Sequence, residues 1–149
     1  MTRIMHGMTA LLATALITIF LGSSVTVELM GHHAAIATVK QLIVFPGLAI
    51  LVPALALTGL SGLRLARHHR GALVERKLRR MRLVVANGLL VLTPCAFYLD
   101  DLASAGRFDA HFVVFQGLEL CAGFANITLM ALNMRDGWRM THGHAVRAD

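Results

Sequence analysis

Histidines and carboxylates near the ends of long apolar segments are the residues whose types and spacing best suit chemistry in this chain. Glu28 and His32 are four residues apart, so in a helix both side chains face one point, and His33 follows directly. Neutral imidazole is a common transition-metal ligand, and a carboxylate that accepts its other ring N–H holds it in place. Two imidazoles from facing helices can ligate the iron of haem b, whereas imidazoles with carboxylates suit non-haem iron, copper or zinc.

Residues of the same types recur at the end of the third apolar segment and at the start of the fourth. Segments that cross a membrane side by side end at common levels, so these residues are expected near the first group. We therefore predict a site for haem b or a transition metal, with axial imidazoles from His32 or His33 and from His111. The full set of predicted ligands and their hydrogen-bond partners is Glu28, His32, His33, Asp100, Asp101 and His111. The alternative is that these side chains simply meet water.

A second group of polar residues lies within the fourth apolar segment. Gln116, Glu119, Gly123 and Asn126 recur at steps of three and four residues and form one stripe on a helix. An ionisable group inside a membrane span costs about 2.5–3.5 kcal/mol on insertion scales, so it is expected to face the bundle interior. The stripe predicts hydrogen bonds between helices, and Glu119 also predicts a proton relay or a substrate-binding group.

The elements that must position these residues follow from composition. The chain has 149 residues, of which 56% are hydrophobic and only 15% charged, with a mean hydropathy of +0.67. This composition excludes a disordered chain and an ordinary water-soluble domain. A helix needs about 20 apolar residues to cross a hydrocarbon core. We predict an all-α, integral membrane four-helix bundle that forms a single domain over 1–149, with spans at about 7–30, 41–63, 83–99 and 110–134.

The charge of +6 is concentrated between the second and third spans. The segment 64–82 carries eight basic residues and one acid, a net charge of +7, so the rest of the chain carries −1. By the positive-inside rule this loop and both termini are cytoplasmic, in a bacterial inner membrane. The loop is predicted to contact anionic lipid headgroups, and nucleic acid is not expected because the loop has no aromatic residue to stack on bases. The alternative that residues 1–24 are a cleaved secretory signal leaves three spans.

Three short pieces carry a resemblance to known families: His6 at the start of the first span, Leu57-Thr58-Gly59 in the second, and the basic run 75–80 before the third. With its four apolar spans, the chain resembles small bacterial four-helix membrane proteins of the copper-resistance-D-like and protoporphyrinogen-oxidase-like group. The resemblance implies a four-helix bundle, and some members bind haem through a histidine of their first helix. Together with His68 and His69, His6 raises the alternative of a second haem at the cytoplasmic side.

Three functions are consistent with these observations. The first is a redox or electron-transfer role, with haem or metal bound at the outer, periplasmic face. The second is a small transporter or proton-coupled channel that uses Glu119, with Gln116 and Asn126 beside it. The third is a non-catalytic accessory or assembly subunit, as a homo-oligomer or within a larger membrane complex.

Overall fold

A computed structural model of the chain describes residues 2–66 and 72–142, and these ranges contain helices and short turns but no strand. Four stretches are long and apolar enough to cross a membrane: Ile4–Met30, His33–Leu65, Val74–Ser104 and Ala110–Trp138. They are built from six helices: α1 (Thr2–Met30), α2 (His33–Leu42), α3 (Ala49–Ala66), α4 (Ala72–Asn87), α5 (Thr93–Ser104) and α6 (Ala110–His142). The predicted all-α class and the number of apolar helices are confirmed.

The second apolar stretch is interrupted between α2 and α3, a feature that we call the break (Ile43–Leu48). Phe45 has extended backbone there, with φ −141° and ψ 123°, and the following Pro46 cannot donate a backbone hydrogen bond. Gly47 lies against α1, because a Cβ at this position would be 2.6 Å from the Phe20 ring and 2.9 Å from the carbonyl oxygen of Leu42. As a result α2 is a short half-helix that ends inside the bundle.

The third apolar stretch contains a π turn (Gly88–Leu92) between α4 and α5. The hydroxyl of Thr93 donates to the carbonyl oxygen of Gly88 at 2.9 Å, and Pro94, in the first turn of α5, has no N–H. A π turn widens the helix locally and occurs frequently at functional sites. Two of the four apolar stretches therefore have an irregular backbone in their interior.

The apolar helices extend beyond the predicted spans 41–63 and 83–99. The second stretch begins at His33, so Lys40, which precedes the predicted span, lies within it. The third begins at Val74, so residues 74–82 of the predicted basic loop belong to α4. In both places the helix continues through charged residues, and two of these charges have partners in α6: Glu119 for Lys40 and Asp136 for Arg80. His68 and His69 lie outside the described residues.

Two clusters of buried apolar side chains hold the helices together. One lies near the loop end, the end of the bundle formed by residues 31–32 and 105–109, and consists of Val27, Ile36, Leu99, Leu102, Ala103 and Phe112. The other fills the middle of the bundle and includes Ala13, Ile17, Leu51, Leu55, Val84 and Met130. The opposite end, which carries Arg64, Arg76, Arg79, Arg80 and Arg135, is the basic end. Large apolar side chains also face outward, as expected for helices in lipid.

Candidate functional site

The residues predicted to bind haem or a metal lie at or near the loop end, and four of the six are exposed. His32, His33, Asp101 and His111 are exposed, and the ring of His33 stacks on Phe108 with 4.0 Å between ring centroids. Among residues 2–66 and 72–142 there is no group of three or more histidine, cysteine or acidic side chains placed to hold a metal ion. The expectation of haem or metal at this end therefore gains no support from the structure.

An ion pair inside the bundle is the most unusual polar feature of the described chain. The ammonium group of Lys40 contacts the carboxylate of Glu119, and their side chains are 0% and 12% exposed. Lys40 Nζ also donates to the hydroxyl of Ser24 at 3.3 Å, so the contact joins α1, α2 and α6. Lys40 lies about 10 Å along α2 from its first residue, and Glu119 about 13 Å along α6 from its own. The pair thus lies well inside the candidate spans.

The position of Lys40 follows from the short length of α2. Ile36 and Lys40 are the buried residues of this helix and are four positions apart, so they share the face that packs into the bundle. Lys40 stands in the last turn of α2, just before the break. The free carbonyl groups at a helix C-terminus carry a partial negative charge, which favours a nearby cation. Glu119 completes the neutralisation from α6.

Several polar groups without partners lie on the loop-end side of the ion pair. Glu28 Oε1, Asp100 Oδ1 and both polar side-chain atoms of Gln116 are buried and have no hydrogen-bond partner among the described residues. Glu28 is also within electrostatic reach of Lys40 and Glu119. A buried polar group without a partner costs about 1–3 kcal/mol, so water or a ligand is expected to satisfy such groups. These atoms therefore mark a polar approach from the loop end.

A small cavity of about 40 Å³ lies beside the ion pair. Ser24 and Glu119 contribute to its wall, and the rest is apolar, with Ile17, Leu51, Leu120 and Gly123 among the lining residues. A cavity needs about 10–15 Å³ to hold one water molecule, and polar partners to keep it there. The small cavity is therefore large enough for water, and Ser24 and Glu119 are the polar residues in its wall.

Beyond the small cavity, two asparagines connect α4 with α6. Asn87 Nδ2 donates to Asn126 Oδ1 and to the carbonyl oxygen of Ala122, each at 2.9 Å, and Asn126 is fully buried. Asn126 Nδ2 donates in turn to the carbonyl oxygen of Val84 at 3.4 Å. Asn126 lies on the same face of α6 as Glu119, so the polar stripe continues toward the basic end.

A large cavity of about 380 Å³ lies at the basic end, between α1, α3, α4 and α6. The polar residues in its wall include His6, Thr14, Thr58, Lys77 and Asn133. His6, the first-span histidine of the resemblance, has its Nδ1 at 3.0 Å from the hydroxyl of Ser61. The large cavity touches Leu55 where the small cavity touches Leu51, four residues earlier on α3. About one helical turn therefore separates the two cavities.

Sequence reasoning found Glu119 but missed its partner Lys40. The signal was present, because residues 33–39 contain no Asp, Glu, Lys or Arg and place Ile36 four positions before the lysine. What the sequence could not supply was the identity of the partner, which comes from another helix. No protein-family model, no curated protein and no solved structure matches the chain.

Proposed function

We propose that this protein translocates protons across the membrane and that the ion pair of Lys40 and Glu119 carries them past the apolar core. The observation that supports the proposal is a fully buried lysine paired with a glutamate well inside the candidate spans. Ionisable residues within membrane spans are rare and usually mark proton or ion pathways. Buried ion pairs are also weak contributors to stability, because well-packed apolar residues often do as well or better.

Protonation of Glu119 is the chemical step. A proton that binds the carboxylate removes its charge and releases the ammonium group of Lys40, and the same proton leaves when the pair forms again. Glu28, whose Oε1 has no partner among the described residues, is then an alternative acceptor for the ammonium group. Lys40 would thereby alternate between two carboxylates, one on α1 and one on α6. In both states the ammonium group of Lys40 would have a carboxylate as its partner.

The backbone around Lys40 suits such an alternation. Lys40 precedes the break by only three residues, and the π turn interrupts the third apolar stretch. Discontinuous helices with free carbonyl groups are a common way of building ion sites in transporters. The half-helix α2 has ten residues, and its buried side chains are those of Ile36 and Lys40.

Polar groups and cavities on the two sides of the ion pair form a route for protons. Groups without partners on Glu28, Asp100 and Gln116 lie on the loop-end side of the ion pair, and the small cavity, Asn126 and the large cavity lie on the other. With the basic end in the cytoplasm, as the charge distribution predicts, protons would enter at the periplasmic loop end. The apolar helical turn between the two cavities would separate the water in one cavity from the water in the other.

Proton flux into liposomes tests the proposal. The purified protein is reconstituted with a pH-sensitive dye inside, and acidification is followed after a pH step. We expect Glu119→Gln to reduce the flux by about a hundredfold, because a positioned proton-transfer group contributes about 100- to 10,000-fold. Glu75→Gln is the matched control, since Glu75 is exposed on α4 and should leave the flux unchanged. Wild-type flux in Glu119→Gln would overturn the proposal.

A further inference from the structure

The large cavity is open at the surface of the bundle that would face lipid. Leu11 of α1 and Met134 and Trp138 of α6 line it and are 60%, 49% and 66% exposed. These residues form a rim between α1 and α6 at the basic end. A volume of about 380 Å³ falls within the range of about 300–1,000 Å³ that small-molecule sites occupy. The opening therefore admits a small molecule from the lipid phase.

Lys77 supplies a positive charge to the wall of the large cavity. Its ammonium group lies against Gly137, where a Cβ would be only 2.9 Å from Nζ, and it forms no ion pair with any acid in the part of the chain that the structure describes. The nearby Asp136 accepts instead from Arg80 at 2.6 Å, and Arg135 lies on its other oxygen at 3.5 Å. Lys77 is thus left to bind one negative charge.

Asn133 adds an acceptor to the same wall. Its Oδ1 is buried and has no partner among the described residues, and its Nδ2 makes only a long contact of 3.5 Å with the carbonyl oxygen of Lys77. A ligand with both an ionised and a protonated form suits these two groups. Its ionised form accepts from Lys77, and its protonated form donates to Asn133.

We infer that the large cavity binds a single-chain aliphatic carboxylic acid, with the acid group at Lys77 and Asn133 and the chain among the methionines. Met81, Met130 and Met134 line the apolar part, and flexible thioether side chains adapt to chains of different shape. One ammonium group matches the single negative charge of the acid, and the one chain of the acid is smaller than the two acyl chains of a phospholipid. The inference deepens the proposed function by naming the molecule whose movement the protons would drive. Binding of the acid does not depend on the proposed function, but the coupling of its movement to protons does.

Trp138 provides a direct test, because it is the only tryptophan of the chain and stands at the rim of the large cavity. Bromine quenches indole fluorescence on contact, so purified protein in nonionic detergent is titrated with bromoundecanoic acid and with bromoundecanol. We expect the acid to quench at lower concentration than the alcohol. Lys77→Gln should weaken binding of the acid about tenfold, which corresponds to about 1.4 kcal/mol, and leave binding of the alcohol unchanged.

Arg76→Gln is the matched control, since it removes the same charge from an exposed neighbouring position and should leave both titrations unchanged. Unchanged binding of the alcohol shows that the cavity of the Lys77 variant is intact. Three results would overturn the inference: equal quenching by acid and alcohol, equal weakening by both variants, or Lys77-dependent quenching by a brominated anionic phospholipid without any by the acid. The Glu119→Gln variant should bind the acid as wild type does. A failure of the proposed proton mechanism can therefore be distinguished from a failure of acid binding.

Discussion

Lys40 and Glu119 lie 79 residues apart in the chain and form an ion pair between α2 and α6, with the lysine side chain fully buried. Each residue would be costly alone at this depth, and each neutralises the other. The pair is connected to α1 through Ser24 and stands next to the break in the second apolar stretch. The proposed proton pathway depends on this contact.

Replacement of Gly47 by alanine should destabilise the bundle. A Cβ at this position would lie 2.6 Å from the Phe20 ring and 2.9 Å from the Leu42 carbonyl oxygen, so the Phe20 ring of α1 and the last residue of α2 would both have to shift. Overpacking of this kind costs about 1–3 kcal/mol. Thermal unfolding in detergent measures the loss, with Gly22→Ala as the control because nothing lies within 4 Å of its Cβ. Equal stability of the two variants would contradict the packing described for the break.

The hydrogen bond between Asn87 and Asn126 should contribute measurably to the contact between α4 and α6. Truncation of Asn126 to alanine leaves Asn87 Nδ2 with only the carbonyl oxygen of Ala122. Hydrogen bonds between membrane helices are worth about 0.6 kcal/mol on average and up to about 1.7 kcal/mol. A double-mutant cycle with Asn87→Ala should give a coupling energy within this range. Strictly additive effects would show that the two side chains do not interact.

The cap of α6 should make stability depend on pH at the loop end. Asp109 accepts from the backbone N–H of Phe112 at 3.3 Å and of His111 at 3.0 Å, and these N–H groups, Phe112 first, hold its pKa below the usual range, with help from Arg107. A lowered pKa means that the ionised cap stabilises the fold above the ordinary pKa of an aspartate. That contribution is lost as the pH falls through the lowered value.

The comparison of wild type with Asp109→Asn isolates this effect. Asparagine caps a helix about as well as aspartate but does not titrate, so wild type should lose stability relative to the variant on acidification below about pH 4. Melting temperatures of both proteins across this range provide the measurement. A difference between them that stays constant with pH would mean that the Asp109 carboxylate is not held ionised by these N–H groups.

The fold class and the number of apolar helices were predictable because hydropathy is a property of local sequence. The inward position of Glu119 followed from the spacing of Gln116, Glu119 and Asn126 on one helix face. The ends of the helices were not predictable in the same way, because Lys40 and Arg80 resemble loop residues until their partners on α6 are known. The partner of Arg80, for example, is Asp136, 56 residues later on α6.

The predicted haem or metal site depended on an assumption about side-chain direction. Glu28 and His32 were expected to face one point, but α1 ends at Met30 and His32 lies in the turn before α2. The helical spacing of four residues therefore does not hold across this pair. Glu28 interacts electrostatically with Lys40 instead, and His32, His33 and His111 are exposed. Hydropathy does not encode short turns of this kind, so the sequence spacing did not reveal that Glu28 and His32 lie on either side of a turn.

The most direct test of the central claim is proton flux through the double variant Lys40→Met with Glu119→Leu. Each single change breaks the buried ion pair and should cost about 3–5 kcal/mol, whereas the double change replaces the pair by apolar side chains and should fold as well as wild type. If the ion pair carries protons, liposomes with the folded double variant will acidify no faster than liposomes without protein. Flux at the wild-type rate would contradict the account and leave the ion pair a purely structural contact.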